Sequence, residues 1–334
     1  MLPLSEVTTM RVGGKPASLV TAQTSEELIN ECQKVWTSGE NWLILGGGSN
    51  IVAADDLSLL NVIKVETKGI QIDEIPTGAI IRVQAGEDWD EFVAHTVAAG
   101  LSGIEAMSGI PGTVGAAPVQ NIGAYGQEIS EVLTRLEFLD YETGETEILE
   151  NSELGFGYRD SIFKHEKTGV IIWVEFKLKQ SAHTLKTERL IEALGEADET
   201  PLEVRKRVLA LRAQKGMVLN EPDHDTWSCG SFFTNPIVSR AFASALPEEC
   251  PRWETTNEDE LKLSAAWLIE HSGIGKGFAL ANSKASTSSK HCLAITNRGG
   301  ASASQILELA RFIQTSVSNR YGINLVPEPN LIGF

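Results

Sequence analysis

The sequence predicts an α+β fold built in three successive parts, and three changes of pattern carry that reading. An α/β alternation fills residues 1–65, a strand-rich stretch runs over 66–203, and helical periodicity returns over 204–320. With 334 residues the chain is long enough to bury several cores.

In the first part, Thr24-Ser25-Glu26-Glu27 has capping-box spacing, and Leu28, Ile29, Cys32, Val35 and Trp36 then share one helical face. After Gly39, residues 42–45 form a short apolar run that reads as a buried strand. It feeds directly into Gly46-Gly47-Gly48-Ser49-Asn50. In the second part, 80–83 is a strand, and a helix is expected over 88–99, ended by Gly100. Residues 136–141 and 146–149 flank Thr143-Gly144 as a hairpin, and 170–178 alternates as a half-buried strand. In the third part, 202–214 and 264–271 are helix-compatible. Ile306, Leu309, Ala310, Ile313 and Val317 make an amphipathic stripe that stops near Gly322. Residues 324–334 hold two prolines and read as extended; no internal repeat or low-complexity linker interrupts the chain.

Composition narrows the function classes. A net charge of −17 repels nucleic acid and anionic membrane surfaces, so a site for an anionic ligand must collect its own cations. No apolar run reaches the ~18 residues of a membrane helix, so no membrane insertion and a cytoplasmic location are expected. Cys32, Cys229, Cys250 and Cys292 are widely spaced with no C-x-x-C pair, which predicts reduced thiols and no metal site. A monomer is expected.

Two glycine-rich segments stand out. Gly46-Gly47-Gly48-Ser49-Asn50 sits where a strand ends, and glycines there let backbone amides approach an anion; a tight turn would use the same residues. It is neither a G-x-G-x-x-G fingerprint nor a P-loop. Residues 103–126 are glycine-dense, apolar and almost uncharged, which suits contact with a flat ring system or a buried irregular connection.

Leu43-Ile44-Leu45-Gly46-Gly47-Gly48-Ser49-Asn50 with Gly109-Ile110-Pro111-Gly112-Thr113-Val114-Gly115 resembles flavoproteins of the vanillyl-alcohol-oxidase-like (PCMH-type) FAD-binding fold. Gln120-Asn121-Ile122-Gly123-Ala124-Tyr125-Gly126, Phe156-Gly157-Tyr158-Arg159-Asp160-Ser161-Ile162-Phe163-Lys164, Gly230-Ser231-Phe232-Phe233-Thr234-Asn235-Pro236 and Pro327-Glu328-Pro329 resemble the UDP-N-acetylenolpyruvoylglucosamine reductase (MurB) family. These motifs stand in family order and span nearly the whole chain. The opening Thr8-Thr9-Met10-Arg11-Val12-Gly13-Gly14 is also similar, with Met10 in place of a usual aromatic.

The resemblance implies non-covalent FAD held by subdomains 1–65 and 66–203, with 321–334 returning to the second, and a substrate-binding domain over 204–320. Gly46, Gly47, Gly48, Ser49, Asn50, Gly109, Pro111, Gly112, Gly115, Gly123 and Tyr125 would surround the cofactor. It further implies NADPH as co-substrate and a UDP-sugar carrying an enolpyruvyl group as substrate, within the building of peptidoglycan precursors.

The chemistry adds a hydride and a proton across an enol-ether double bond, so it needs a group that neutralises the carboxylate and a positioned acid. Arg159 suits the first task, with forked donors for a planar anion; without the resemblance an exposed ion pair with Asp160 would be the simpler reading. The resemblance makes Ser231 the proton donor and Glu328, restricted between Pro327 and Pro329, the partner of Arg159. Tyr158, Arg212, Lys215 and Asn235 are the implied substrate contacts; Arg212 and Lys215 are three apart near a helix end and can share a face. Thr187 aligns where the family often has a tyrosine over the substrate diphosphate, so that contact is expected to be replaced or absent.

An FAD oxidase of the same fold is the alternative enzyme; such oxidases often tether flavin through His or Cys, and 103–126 contains neither. A non-catalytic nucleotide-sugar sensor would not need a donor serine and an arginine on flavin-facing segments.

Overall fold

The structure is a computed structural model describing residues 2–185 and 187–334. The chain forms two compact units: unit one is Pro16–Gly48 with Leu59–Ala213, and unit two is Leu2–Lys15, Ser49–Ser58 and Gln214–Phe334. The architecture mixes helices and sheets, as an α+β chain should.

After the strand Pro16–Ala22, unit one forms helix α1, Ser25–Ser38, for which Thr24 Oγ1 accepts the amide of Glu27 at 3.1 Å. The Glu27 carboxylate reaches back to the amide of Gln23 rather than to that of Thr24, so the box is displaced by one residue. The helix stops at Gly39, whose φ of 71° is the left-handed conformation that glycine adopts without Cβ strain. Leu28, Cys32 and Trp36 are buried, with Ile29 and Val35 packed at the edge of the same cluster.

Two sheets carry the unit. Asn41–Leu45 pairs in parallel with Leu57–Val65, which also neighbours Pro16–Ala22. The larger sheet is antiparallel and runs Thr146–Glu150, Leu133–Asp140, Gly169–Gln180, Gly78–Gln84, Ile70–Ile75, with Leu101–Ser102 paired to the end of the central strand. Gly169–Gln180 is not half-buried as its alternation suggests. Ile171, Val174, Phe176 and Leu178 enter one core, while Val170, Ile172 and Trp173 enter the other. Covering both faces removes the polar side that an alternating pattern normally signals.

Helix α2, Trp89–Ala98, is capped by Asp88, whose Oδ1 accepts the amide of Glu91 at 2.9 Å. Helices α3, Glu188–Leu194, and α4, Pro201–Gln214, bury Leu190, Leu194, Val204 and Val208 against Ala106. Proline at the first position of α4 costs nothing, because that amide has no intrahelical acceptor. Within 103–126 the chain makes a short helical stretch: Val114–Gln120 is a 3₁₀ helix containing Pro118. Its shorter i to i+3 bonds tolerate a missing N–H that an α-helix interior would not.

Unit two builds its core on helices α5, Arg240–Ala243, α6, Ala265–His271, and α7, Ala303–Tyr321. On α7, Ser302 and Gln305 form a reciprocal capping box, and Asp55 accepts the amides of Ala303 and Ser304 at 2.9 and 3.2 Å. Ile306, Leu309, Ala310, Ile313 and Val317 are buried, as their spacing requires, and Gly322 caps the helix at φ 69°. A three-stranded sheet (Ile237–Ser239, Glu260–Leu263, Arg252–Glu254) and a pair (Ala285–Thr287 with Ile295–Asn297) complete the core. Asn330–Ile332 pairs in parallel with Ile51–Ala53. Met10 is fully buried with Val52 and Phe232, where a flexible thioether adapts to the packing. All four cysteines are free thiols, and no helix of the described residues is long and apolar enough to cross a membrane.

Candidate active site

Unit one brings the two glycine-rich segments face to face. A Cβ on Gly47 would stand 2.8 Å from Gly112 Cα, and one on Gly46 would stand 2.4 Å from Thr113 Oγ1. Gly115 closes against Ala85 in the same way, its amide donating to the Ala85 carbonyl at 2.9 Å. Only residues without a side chain permit this approach. Among the described residues, no protein group accepts a hydrogen bond from the amides of Gly47, Gly48, Gly112 or Thr113. Adjacent amides with no internal acceptor, on walls without side chains, fit the diphosphate of a dinucleotide such as FAD. Gly47→Ala should therefore push the two loops apart and weaken FAD binding about tenfold to a hundredfold, the effect of ~1–3 kcal/mol of overpacking. Titrating the apoprotein by flavin fluorescence checks this.

Beyond these loops, three non-glycine residues among those described in unit one adopt left-handed backbone: Asn121 at φ 45°, Tyr125 at 52° and Arg159 at 55°. Such conformations persist where surrounding bonds over-determine them. Asn121 is the hub. Its Nδ2 donates to the Gly157 carbonyl at 3.0 Å and to Glu128 at 2.9 Å, and its Oδ1 accepts the Ser130 amide at 3.1 Å. Arg159 ties the two segments together, Nη2 donating to the Gly123 carbonyl at 2.7 Å and Nη1 to that of Asn121 at 3.4 Å. The Tyr158 ring lies 5.5 Å from the Arg159 guanidinium carbon. Asp160 lies 2.8 Å from His165 Nε2.

Arg212, in the last turn of α4, donates to the Gly109 carbonyl at 3.3 Å. Burial depresses its guanidinium pKa below the ordinary value, and the neighbouring charge of Arg159 adds to the effect; Tyr125 and Asp90 oppose it. Burial raises the Tyr125 phenol, partly offset by Arg212. In a chain of net charge −17, Arg159 and Arg212 lie within electrostatic reach of each other and make the local field positive.

Thr187 has a role that its alignment with a tyrosine did not suggest. Its Oγ1 donates to the Tyr125 carbonyl at 2.6 Å and accepts the Leu190 amide at 3.2 Å, capping α3. A Cβ on Gly126 would stand 2.5 Å from that same oxygen. Thr187→Ala should cost about 1–2 kcal/mol through the lost cap and hydrogen bond, and Thr187→Ser should recover most of it. Denaturant unfolding, with hydrogen exchange at Leu190, reads both.

Unit two organises the remaining residues. The amide of Glu328 donates to the Phe232 carbonyl at 2.9 Å, and Thr234 donates to Val326 at 3.0 Å, so the segment after Ser231 runs antiparallel to the one bearing Glu328. Gly230, at φ 74°, turns the chain into Ser231, and the next two side chains, Phe232 and Phe233, are buried. Asn50 braces the partner segment, Nδ2 donating to the Glu328 carbonyl at 3.3 Å. Thr9 Oγ1 donates to the Ser228 carbonyl at 2.7 Å, which anchors the loop from the opening stretch. Cys229 is a half-buried neighbour whose thiol is pushed up to about 12 by burial, helped by the Glu328 charge.

The implied substrate contacts fall into different settings. Asn235 Oδ1 accepts the Ala265 amide at 3.0 Å, at the start of α6. Lys215 follows the last residue of α4 and is exposed. Three contributors escaped sequence reasoning: Asn121, Asp90 and Thr113. For Asn121 a signal existed, since asparagine is among the few side chains that tolerate left-handed backbone. Among the described residues no cluster of His, Cys, Asp or Glu could hold a metal.

Comparison with known proteins follows the same division. The "FAD binding domain" family model matches residues 16–150, and the "UDP-N-acetylenolpyruvoylglucosamine reductase, C-terminal domain" model matches 221–332. The UDP-N-acetylenolpyruvoylglucosamine reductase of Leifsonia xyli subsp. xyli is 46% identical over 99% of this chain and 98% of its own. That of Mycolicibacterium gilvum is 43% identical over 99% of this chain and 95% of its own. The crystal structure of the Thermus caldophilus UDP-N-acetylenolpyruvylglucosamine reductase covers 99% of this chain, with 97% of its own covered, a TM-score of 0.67 and 26% identity.

Proposed function

The chain belongs to the UDP-N-acetylenolpyruvoylglucosamine reductase family, an FAD-dependent oxidoreductase family, and from that premise we propose that it converts UDP-N-acetylglucosamine enolpyruvate to UDP-N-acetylmuramate at the expense of NADPH, supplying peptidoglycan precursors. The observation that carries this reading is a pair of guanidiniums within electrostatic reach of each other, Arg159 and Arg212, in a chain of net charge −17. A substrate with a carboxylate and a diphosphate is the kind of ligand that such a pair draws against the overall field. The three-part division, 1–65 and 66–203 for FAD and 204–320 for substrate, belongs to the same proposal, as do a monomer and a cytoplasmic location.

Bound FAD supplies the hydride that reduces the enolpyruvyl double bond. Gly46, Gly47, Gly48, Ser49, Asn50, Gly109, Pro111, Gly112, Gly115, Gly123 and Tyr125 would hold it. Arg159 binds the enolpyruvyl carboxylate, and its fork withdraws charge from the double bond as the hydride arrives. Its own anchorage on the carbonyls of Gly123 and Asn121 fixes the guanidinium plane before substrate binds. Glu328 shares the enolic charge with Arg159, and Ser231 donates its hydroxyl proton to the carbon next to the site of hydride addition. Gly230 and the two buried phenylalanines fix the turn that carries Ser231, from which a weak acid beside a strongly basic carbon can transfer its proton. Tyr158, Arg212, Lys215 and Asn235 orient the UDP-sugar.

Mass spectrometry of the product, with NADPH consumption followed in parallel, tests the proposal. One NADPH should disappear for each molecule of enolpyruvyl substrate, which gains two hydrogen atoms. NADPH oxidation accompanied by oxygen uptake, with the substrate recovered intact, would support an oxidase instead.

A further inference from the structure

We propose that Asp90, backed by Arg205, is a positioning residue for FAD: it fixes the backbone of Gly109 and thereby the amides of the 109–112 loop. The inference rests on the reading that this loop borders the cofactor.

Asp90 is the second residue of α2, and its carboxylate does not serve that helix's cap, which Asp88 supplies. It turns instead to the loop, Oδ1 accepting the Gly109 amide at 2.6 Å. From α4, Arg205 closes a two-pronged contact on the same carboxylate, Nη1 to Oδ1 at 2.5 Å and Nη2 to Oδ2 at 2.9 Å. Further along α4, Arg212 takes the other side of the same peptide unit's neighbour, donating to the Gly109 carbonyl at 3.3 Å. Gly109 is buried, at φ 73°, and is thus gripped through both its N–H and its C=O by one network of side chains.

Such a grip exceeds what a turn needs. A glycine at positive φ is the most mobile residue the chain offers, and a fork of charge-assisted bonds is the stiffest local restraint available. Burial alone would raise the Asp90 carboxyl, yet the Arg205 bonds, the Gly109 amide and the Arg205 charge together hold it below the usual carboxylate range. It therefore stays ionised and accepting at any pH near neutrality. Three residues after Gly109 stands Gly112, in contact distance of Gly47 and with no protein acceptor for its amide among the described residues. Fixing Gly109 sets the direction in which the amides at 112 and 113 point, without Asp90 touching the ligand. Arg205 acts only through Asp90.

The test is FAD affinity of the apoprotein, measured by flavin fluorescence titration, with the visible absorption band of the bound flavin as a second readout. Asp90→Ala should weaken FAD about tenfold to a hundredfold, the range for one hydrogen bond to a charged group, and shift the band. Arg205→Gln should weaken it less, and the double variant should match Asp90→Ala alone, because the two residues act as one unit. Asp90→Ala with the parent's affinity and band, or a double variant whose loss is the product of the single losses, would overturn the proposal. If Asp90→Ala does not fold, Arg205→Gln decides the matter: an unchanged dissociation constant and band would equally overturn it. A parent apoprotein that takes up no FAD would refute the underlying site reading rather than the role of Asp90 within it.

Discussion

Replacing Ser231 with alanine is expected to lower turnover of the enolpyruvyl substrate about 10²–10⁴-fold, the usual contribution of a positioned proton donor, while FAD affinity and its reduction by NADPH stay near those of the parent. The asymmetry follows from where the residue sits. Ser231 belongs to unit two, in a turn made by Gly230 and secured by Phe232, whereas the glycine segments that fit FAD lie in unit one, apart from the end of the 46–50 loop. Removing one hydroxyl from an intermediately buried position leaves the Glu328–Phe232 pairing and the buried aromatics intact, so the variant should fold. Stopped-flow measurement of each half-reaction separates the two effects. Equal slowing of both, or of neither, would remove Ser231 from the role of donor.

Arg159 should show a different signature. Arg159→Ala is expected to lower kcat/KM about 10²–10³-fold, the range for losing one electrostatic stabiliser of a developing negative charge. Arg159→Lys keeps the cation but cannot hold two carbonyls and a carboxylate at once, so most of the loss should remain. The structural reason is the double anchorage to Gly123 and Asn121 at 2.7 and 3.4 Å, from a backbone at φ 55°. A further consequence separates Arg159 from an ordinary surface cation: loosening the Asn121–Tyr125 segment should also perturb the bound flavin's spectrum. A lysine variant with parental kcat/KM and spectrum would show that only charge is required.

Much of the fold was legible because local chemistry and global packing agree. The stripe from Ile306 to Val317 and the glycine stops at Gly39 and Gly322 report one periodicity each, and each is met. The long strand Gly169–Gln180 was misjudged as half-buried, because alternation describes the strand and not the number of layers laid over it. The pairing of Ile51–Ala53 with Asn330–Ile332 spans nearly the whole chain, and no local signal encodes it.

The candidate site divides the same way. Glycine-dense segments stand out by composition, whereas Tyr158 and Arg159 are singled out only by the resemblance of their motif. Asp90 and Arg205 carry neither signal. They are 115 positions apart in the sequence and meet only once α2 and α4 are in place. Thr187 was legible only as a departure, and its cap on α3 and its bond to the Tyr125 carbonyl become visible only in three dimensions.

Anaerobic mixing tests the central claim most directly. FAD-loaded protein reduced by one equivalent of NADPH is combined with UDP-N-acetylglucosamine enolpyruvate while the flavin absorbance is followed. The yellow colour should bleach with NADPH and return with the enolpyruvyl substrate in the absence of oxygen. Bleaching that only oxygen reverses would contradict it.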